Sequence, residues 1–173
     1  MKKIFLILFT FILSSQPLIA CDFKIINFGD SKDKLVSISP GALVSENQFG
    51  GENAIIPITD VCKNDKNLEG TKLDYLFMNK KLVLITLLRG NMDDAAILDF
   101  AMLKYGSFNL PIGTEKNNWR GSYAWELGND IINYVRTDIP QGSAELLEVS
   151  SKLYSAGLNE YLEKVGKWFD SQE

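Results

Sequence analysis

Residues 71–90 read TKLDYLFMNKKLVLITLLRG, and the fold turns on this stretch. Leu73, Tyr75 and Phe77 alternate with Lys72, Asp74 and Leu76, the period of a strand with one face in a core. Asn79 and Lys80 follow as turn residues, and residues 82–88 are then almost wholly apolar. A short apolar run after a tight turn predicts a central strand covered on both faces. The two strands form a hairpin, and short links favour antiparallel pairing.

On the carboxyl side Gly90 ends the run, and Asn91, Asp93 or Asp94 is placed to cap a helix. Its apolar residues Ile97, Leu98, Ala101, Met102 and Tyr105 make one stripe, and Gly106 fits the left-handed position past its end. After the polar loop GTEKNN, Tyr123, Trp125 and Leu127 alternate with Ala124 and Glu126. Gly128-Asn129 is a tight-turn pair, and residues 131–137 supply the returning strand of a second hairpin. A turn at 140–143 leads into strand spacing over 145–153. Leu158, Tyr161, Leu162, Val165, Trp168 and Phe169 then recur at helical spacing, with Glu160 to Lys164 and Glu163 to Lys167 as pairs on the wet side.

On the amino side, residues 23–28 (FKIINF) read as a short first strand, and Asp30 or Ser31 caps a brief helical turn over 32–37. Residues 41–53 are rich in Gly, Ser and Asn and read as an exposed loop. Pro57 restricts the apolar stretch 54–62 to an edge strand or an extended connector. The expected architecture is α+β, a single antiparallel sheet of about five strands with two amphipathic helices packed on one face. The succession of YLFMNKKLVLITLL, a helix closing in LKYG and a tryptophan-bearing hairpin resembles small exported bacterial proteins of uncharacterised function, over residues 68–153. The resemblance implies the same fold class.

Lys2 and Lys3 precede an unbroken apolar run at 4–13, followed by Ser14 to Pro17 and the small residue Ala20. That order predicts a secretory signal peptide over 1–20, since a spanning helix needs about 20 apolar residues. Residues 21–173 are expected to be one mature domain with no transmembrane span. Leu18-Ile19-Ala20-Cys21 also resembles a bacterial lipobox, in which Cys21 carries a lipid. The polar residues 14–17 argue for ordinary cleavage instead, and Cys62, the other cysteine of the chain, argues for a Cys21–Cys62 disulfide in an oxidising compartment. Such a bridge closes 42 residues counted inclusively, for which chain entropy gives about 4 kcal/mol.

The leader holds two lysines and no acids, so the chain beyond it carries 16 basic against 22 acidic residues. Its basic residues are scattered, which argues against a nucleic-acid partner. Histidine is absent. Histidine triads, the imidazole base and common zinc sites are thereby excluded, and no metal or cofactor is expected.

The acids Asp93, Asp94 and Asp99 fit helix capping better than a metal site, because Asp94 and Asp99 point apart on a helix and carboxylates favour helix starts. Trp119, Tyr123 and Trp125 share parity in WRGSYAW, with Arg120 beside them. They form either a stacking surface or part of the core, and Trp119 is the one expected to be exposed. Ser150 and Lys152 share a strand face and fit a solvated surface better than a nucleophile and base. These readings point to a non-catalytic, periplasmic binding or accessory domain with an envelope protein, peptide or glycan as partner. The alternatives are a lipoprotein anchored through Cys21, and a carboxylate-dependent hydrolase of envelope glycans using Glu126, Asp130 or Glu148.

Overall fold

A computed structural model describes residues 21–90 and 93–172; the predicted signal peptide and Asn91 lie outside them. The elements in chain order are α1 (Lys32–Ile38), β1 (Leu43–Glu46), β2 (Glu52–Pro57), α2 (Ile58–Val61), β3 (Lys72–Met78), β4 (Lys81–Gly90), α3 (Ala96–Tyr105), β5 (Gly121–Leu127), β6 (Asp130–Ile139), β7 (Gly142–Ser151) and α4 (Ser155–Asp170). The fold is α+β on one antiparallel sheet, ordered β1-β2-β3-β4-β7-β6-β5. The described residues therefore hold seven strands and four helices, where the sequence predicted about five and two.

The 71–90 hairpin forms as predicted. Asn79 and Lys80 both have positive φ, 50° and 64°, the conformation of a two-residue hairpin turn. Leu76 pairs with Leu84 and Phe77 with Leu82, so Val83 is an extra residue on β4. This bulge reconciles a continuous apolar run with a two-sided sheet. Leu82, Ile85 and Leu87 join the main core, while Val83 and Leu84 both turn to the opposite face with Leu76 and Met78.

Two apolar faces at this end of the sheet require two covers. Phe23, Ile26, Leu35 of α1, Ile58 of α2, Leu68 and the buried α3 residues Ile97, Leu98, Phe100 and Ala101 close the first. Helix α4 packs Leu158 and Tyr161, with the adjoining Tyr154, on the second. The prediction that both amphipathic helices share one face is thus corrected: α3 and α4 lie on opposite faces, because successive residues of β3 point to opposite sides.

The amino-terminal segment also differs from expectation. Residues 23–28 form no strand. Phe23 and Ile26 plug the core, Tyr75 donates its hydroxyl to the Phe23 carbonyl at 2.6 Å, and the Cys21–Cys62 disulfide holds the segment's start, with Cα atoms 5.3 Å apart. The predicted exposed loop at 41–53 contains β1 and the start of β2, joined around Gly50 and Gly51 with φ of 96° and 78°. All four β1 residues are exposed, so no alternation betrayed the strand. Strand β2 is not an edge, yet Pro57 is accommodated because β1 pairs only as far as Ile55, leaving the position of the missing N–H unpaired on that side. Ser31 caps α1, its side chain accepting from the Lys34 amide, as the sequence predicted.

Candidate functional site

Beneath α3 lies a buried charged cluster at the centre of the sheet. Glu145 on β7 stands between Arg89 on β4 and Arg136 on β6, its direct cross-strand neighbours. All three are buried on the covered face. Glu145 accepts the amides of Ile97 and Leu98 at 3.2 and 3.1 Å and the Tyr134 hydroxyl at 2.7 Å, and lies 3.8 Å from Arg136 Nη1. The residue at the α3 N-cap position, Ala95, has no capping side chain; a carboxylate from β7 meets the positive end of the helix instead. The predicted cap Asp94 contributes through its contact with the Ala96 amide, 3.3 Å, and binds Arg89 Nη1 at 2.5 Å. Burial, then the Glu145 charge, pushes the Tyr134 hydroxyl far above the ordinary tyrosine range, so it remains a donor.

The sequence reading passed over Arg89, Arg136 and Glu145. A signal was present in strand parity: Arg136 continues Ile132 and Tyr134, and Glu145 precedes Leu147 and Val149 at the same two-residue step. Charged residues at core parity mark a buried ionic cluster.

Next to this cluster is a cleft of about 950 Å³. Its walls are the disulfide, the turn over residues 63–68 and one flank of α3, with Arg89 and Asp94 at the helix start. Val61, Leu68, Ala96, Phe100 and Leu103 supply apolar lining, and Asn64, Asn67 and Asn117 supply amides.

The predicted aromatic surface is brought together but mostly closed over. Trp119 is 8% exposed and stacks on Tyr134 with ring centres 5.8 Å apart, which corrects the expectation that it is exposed. The loop carrying Phe108 and Leu110 folds back onto these rings and removes them from water. Trp125 is buried and donates its indole N–H to the Gly106 carbonyl at 2.8 Å. Tyr123 alone remains exposed, stacked parallel on Phe108 at 3.9 Å, and Arg120 pairs with Asp138 at 2.5 Å.

The opposite face of the sheet is open over most of its width. Helix α4 contacts β3 and β4, whereas Ser122, Ala124, Asn133 and Thr137 on β5 and β6 stay exposed. Across this face Leu88, Leu146 and Val135 are direct cross-strand neighbours, an apolar row ending at Ser122. The adjacent row is Thr86, Glu148, Asn133 and Ala124. Burial among these neighbours pushes the Glu148 carboxyl above its usual value.

The carboxylates considered for hydrolysis do not converge. Asp130 has the parity of the covered face and binds Lys24 of the amino-terminal segment at 2.6 Å; Glu126 has the opposite parity and binds Lys152 at 2.6 Å. Lys152 holds the Glu126 carboxyl below its usual range, first by hydrogen bonding and then by its charge. Glu126 and Glu148 share a face but sit two strands and two residues apart, about 12 Å between backbone positions. Lys152 is committed to Glu126, not to Ser150, and Asp99 pairs with Lys116. Among the described residues no group of His, Cys, Asp or Glu is placed to hold a metal ion, and no helix is long and apolar enough to cross a membrane.

Comparison of the chain with protein-family models, curated proteins and solved structures finds no match to any of them.

Proposed function

We propose that this chain is an exported, non-catalytic binding domain of the bacterial envelope, working in the periplasm, and that an envelope protein, peptide or glycan rests on the open face of its sheet. The observation that carries the reading is the apolar row Leu88, Leu146 and Val135, which lies beyond the cover of α4. Contiguous apolar surface beside polar residues is the usual composition of a contact surface. The Cys21–Cys62 bridge and the leader read from residues 1–20 support the address. The lipoprotein alternative needs the same Cys21 sulfur as a thioether, so bridge and lipid exclude one another.

Two measurements test the proposal. A photo-crosslinking side chain placed at Val135 in exporting cells is expected to give one discrete adduct that the same group at Lys34, on α1, does not give. No adduct at Val135, Leu146 or Leu88 would remove the basis for a contact face. The intact mass of the envelope-derived protein, with thiols alkylated before and after reduction, is expected to show an unmodified chain beginning at Cys21 with both thiols protected. A mass raised by lipid with Cys62 open to alkylation would replace the soluble reading with the anchored one.

A further inference from the structure

The cleft beside the disulfide carries positive charge that its own acids do not use. Arg89 in its wall is 6% exposed; its Nη1 is taken by Asp94, and its Nε has no hydrogen-bond partner among the described residues. Lys63 and Lys66, from the turn after Cys62, line the same cleft, and their side-chain ammonium groups make no ion pair or hydrogen bond among the described residues. The three acids of the lining are all engaged. Asp65 accepts the Asn67 amide and closes its own turn, Asp94 holds Arg89 and the Ala96 amide, and Asp99 pairs with Lys116. With Asp94 paired to Arg89 and Asp99 to Lys116 from outside the lining, Lys63 and Lys66 face one remaining acid, Asp65, so in a chain of net negative charge this cavity keeps one cation in excess.

We propose that this cleft binds a small organic anion, a carboxylate or phosphate monoester on an apolar body. Arg89 is its charged receptor, and Asp94 is the internal carboxylate that occupies Arg89 until the ligand displaces it. A guanidinium presents a planar fork that matches carboxylate and phosphate oxygens, and a buried one is weakly screened. The asymmetry of the Arg89–Asp94 pair favours exchange: the arginine side chain is 5% exposed, whereas the aspartate side chain is 54% exposed and has water at hand to replace its contacts. Lys63 and Lys66 draw the anion in, and Leu68, Ala96 and Phe100 accept its apolar part. This site is on the covered side of the sheet and is independent of the open face.

The test is a titration of the oxidised protein with inorganic phosphate and with phenyl phosphate, followed by proton–nitrogen NMR that includes the arginine Nε–Hε signals. Phenyl phosphate is expected to move the Arg89 side-chain signal and the Leu68 and Ala95 amides, and to bind about tenfold more tightly than phosphate. Asp94→Asn, which keeps a capping side chain, is expected to tighten phenyl phosphate several-fold. The exposed double variant Lys63→Ala, Lys66→Ala is expected to weaken it several-fold with unchanged thermal unfolding, and Arg89→Lys to weaken it about tenfold or more. An Arg89 signal unmoved by either probe overturns the proposal. So do Asp94 and lysine variants that bind like the parent chain, and these two variants decide the matter should the Arg89 substitution fail to fold.

Discussion

A carboxylate on the core side of a sheet must be matched group for group, and Glu145 is matched by two helix amides, a tyrosine hydroxyl and the Arg136 guanidinium. Glu145→Ala leaves the buried Arg136 without its counter-charge and the start of α3 without its acceptor. The expected loss is about 3–5 kcal/mol in urea unfolding; a loss under about 1 kcal/mol would mean that the cluster contributes little. Glu148 gives the opposite expectation. Its folded-state pKa is raised by burial, so the folded protein binds more protons than the unfolded chain, and stability falls as pH rises from the ordinary glutamate range through the raised value. Glu148→Gln should therefore be more stable than the parent at neutral pH, with the difference shrinking below about pH 4.5. Thermal melts of both proteins between acid and neutral pH check this, and a pH-independent difference would refute the linkage.

Helices α3 and α4 show how differently two amphipathic patterns are used. Helix α3 buries Ala96, Ile97, Leu98, Phe100 and Ala101, whereas no residue of α4 is fully buried, and Leu162, Trp168 and Phe169 remain exposed. The period of α4 in the sequence was the stronger of the two, but a pattern shows only which side would be buried, not how much surface is there to receive it. Near the amino end of α4 the sheet has little room: Gly157 approaches Val83 so closely that a Cβ would stand 3.1 Å from it. Native-state hydrogen exchange is expected to find the α4 amides opening at least about 2 kcal/mol more easily than those of β4 and β7. Equal protection would show that α4 is a full partner in the core. The bulge at Val83 belongs to the same scale. Residues 82–88 read correctly as a strand, but the extra residue that sends Val83 and Leu84 to one face leaves no mark in an all-apolar run.

At the scale of the molecule, the disulfide fastens the amino-terminal segment over the core through a sequence separation of 41 residues. Cys21→Ser with Cys62→Ser is expected to cost about 2–4 kcal/mol in chemical unfolding. Other ties of the segment, among them Tyr75 to the Phe23 carbonyl, Lys104 to the Cys21 carbonyl and Lys24 to Asp130, should keep the native fold at low denaturant, as amide spectra would report. The sequence by itself determined the α+β class, the antiparallel hairpins at 71–90 and 121–139 and the positions of α1, α3 and α4, because periodicity, turn residues and caps act over a few neighbours; it favoured the Cys21–Cys62 bridge over a lipid on Cys21, and the structure forms that bridge. Only the tertiary structure decided which face each helix covers, that β7 enters between β4 and β6, and that Arg89, Glu145 and Arg136 meet at one point. Those outcomes depend on strand order and register, which bring together residues as much as 66 positions apart, Leu84 and Ser150 of β4 and β7, and no local pattern encodes a partner at that distance.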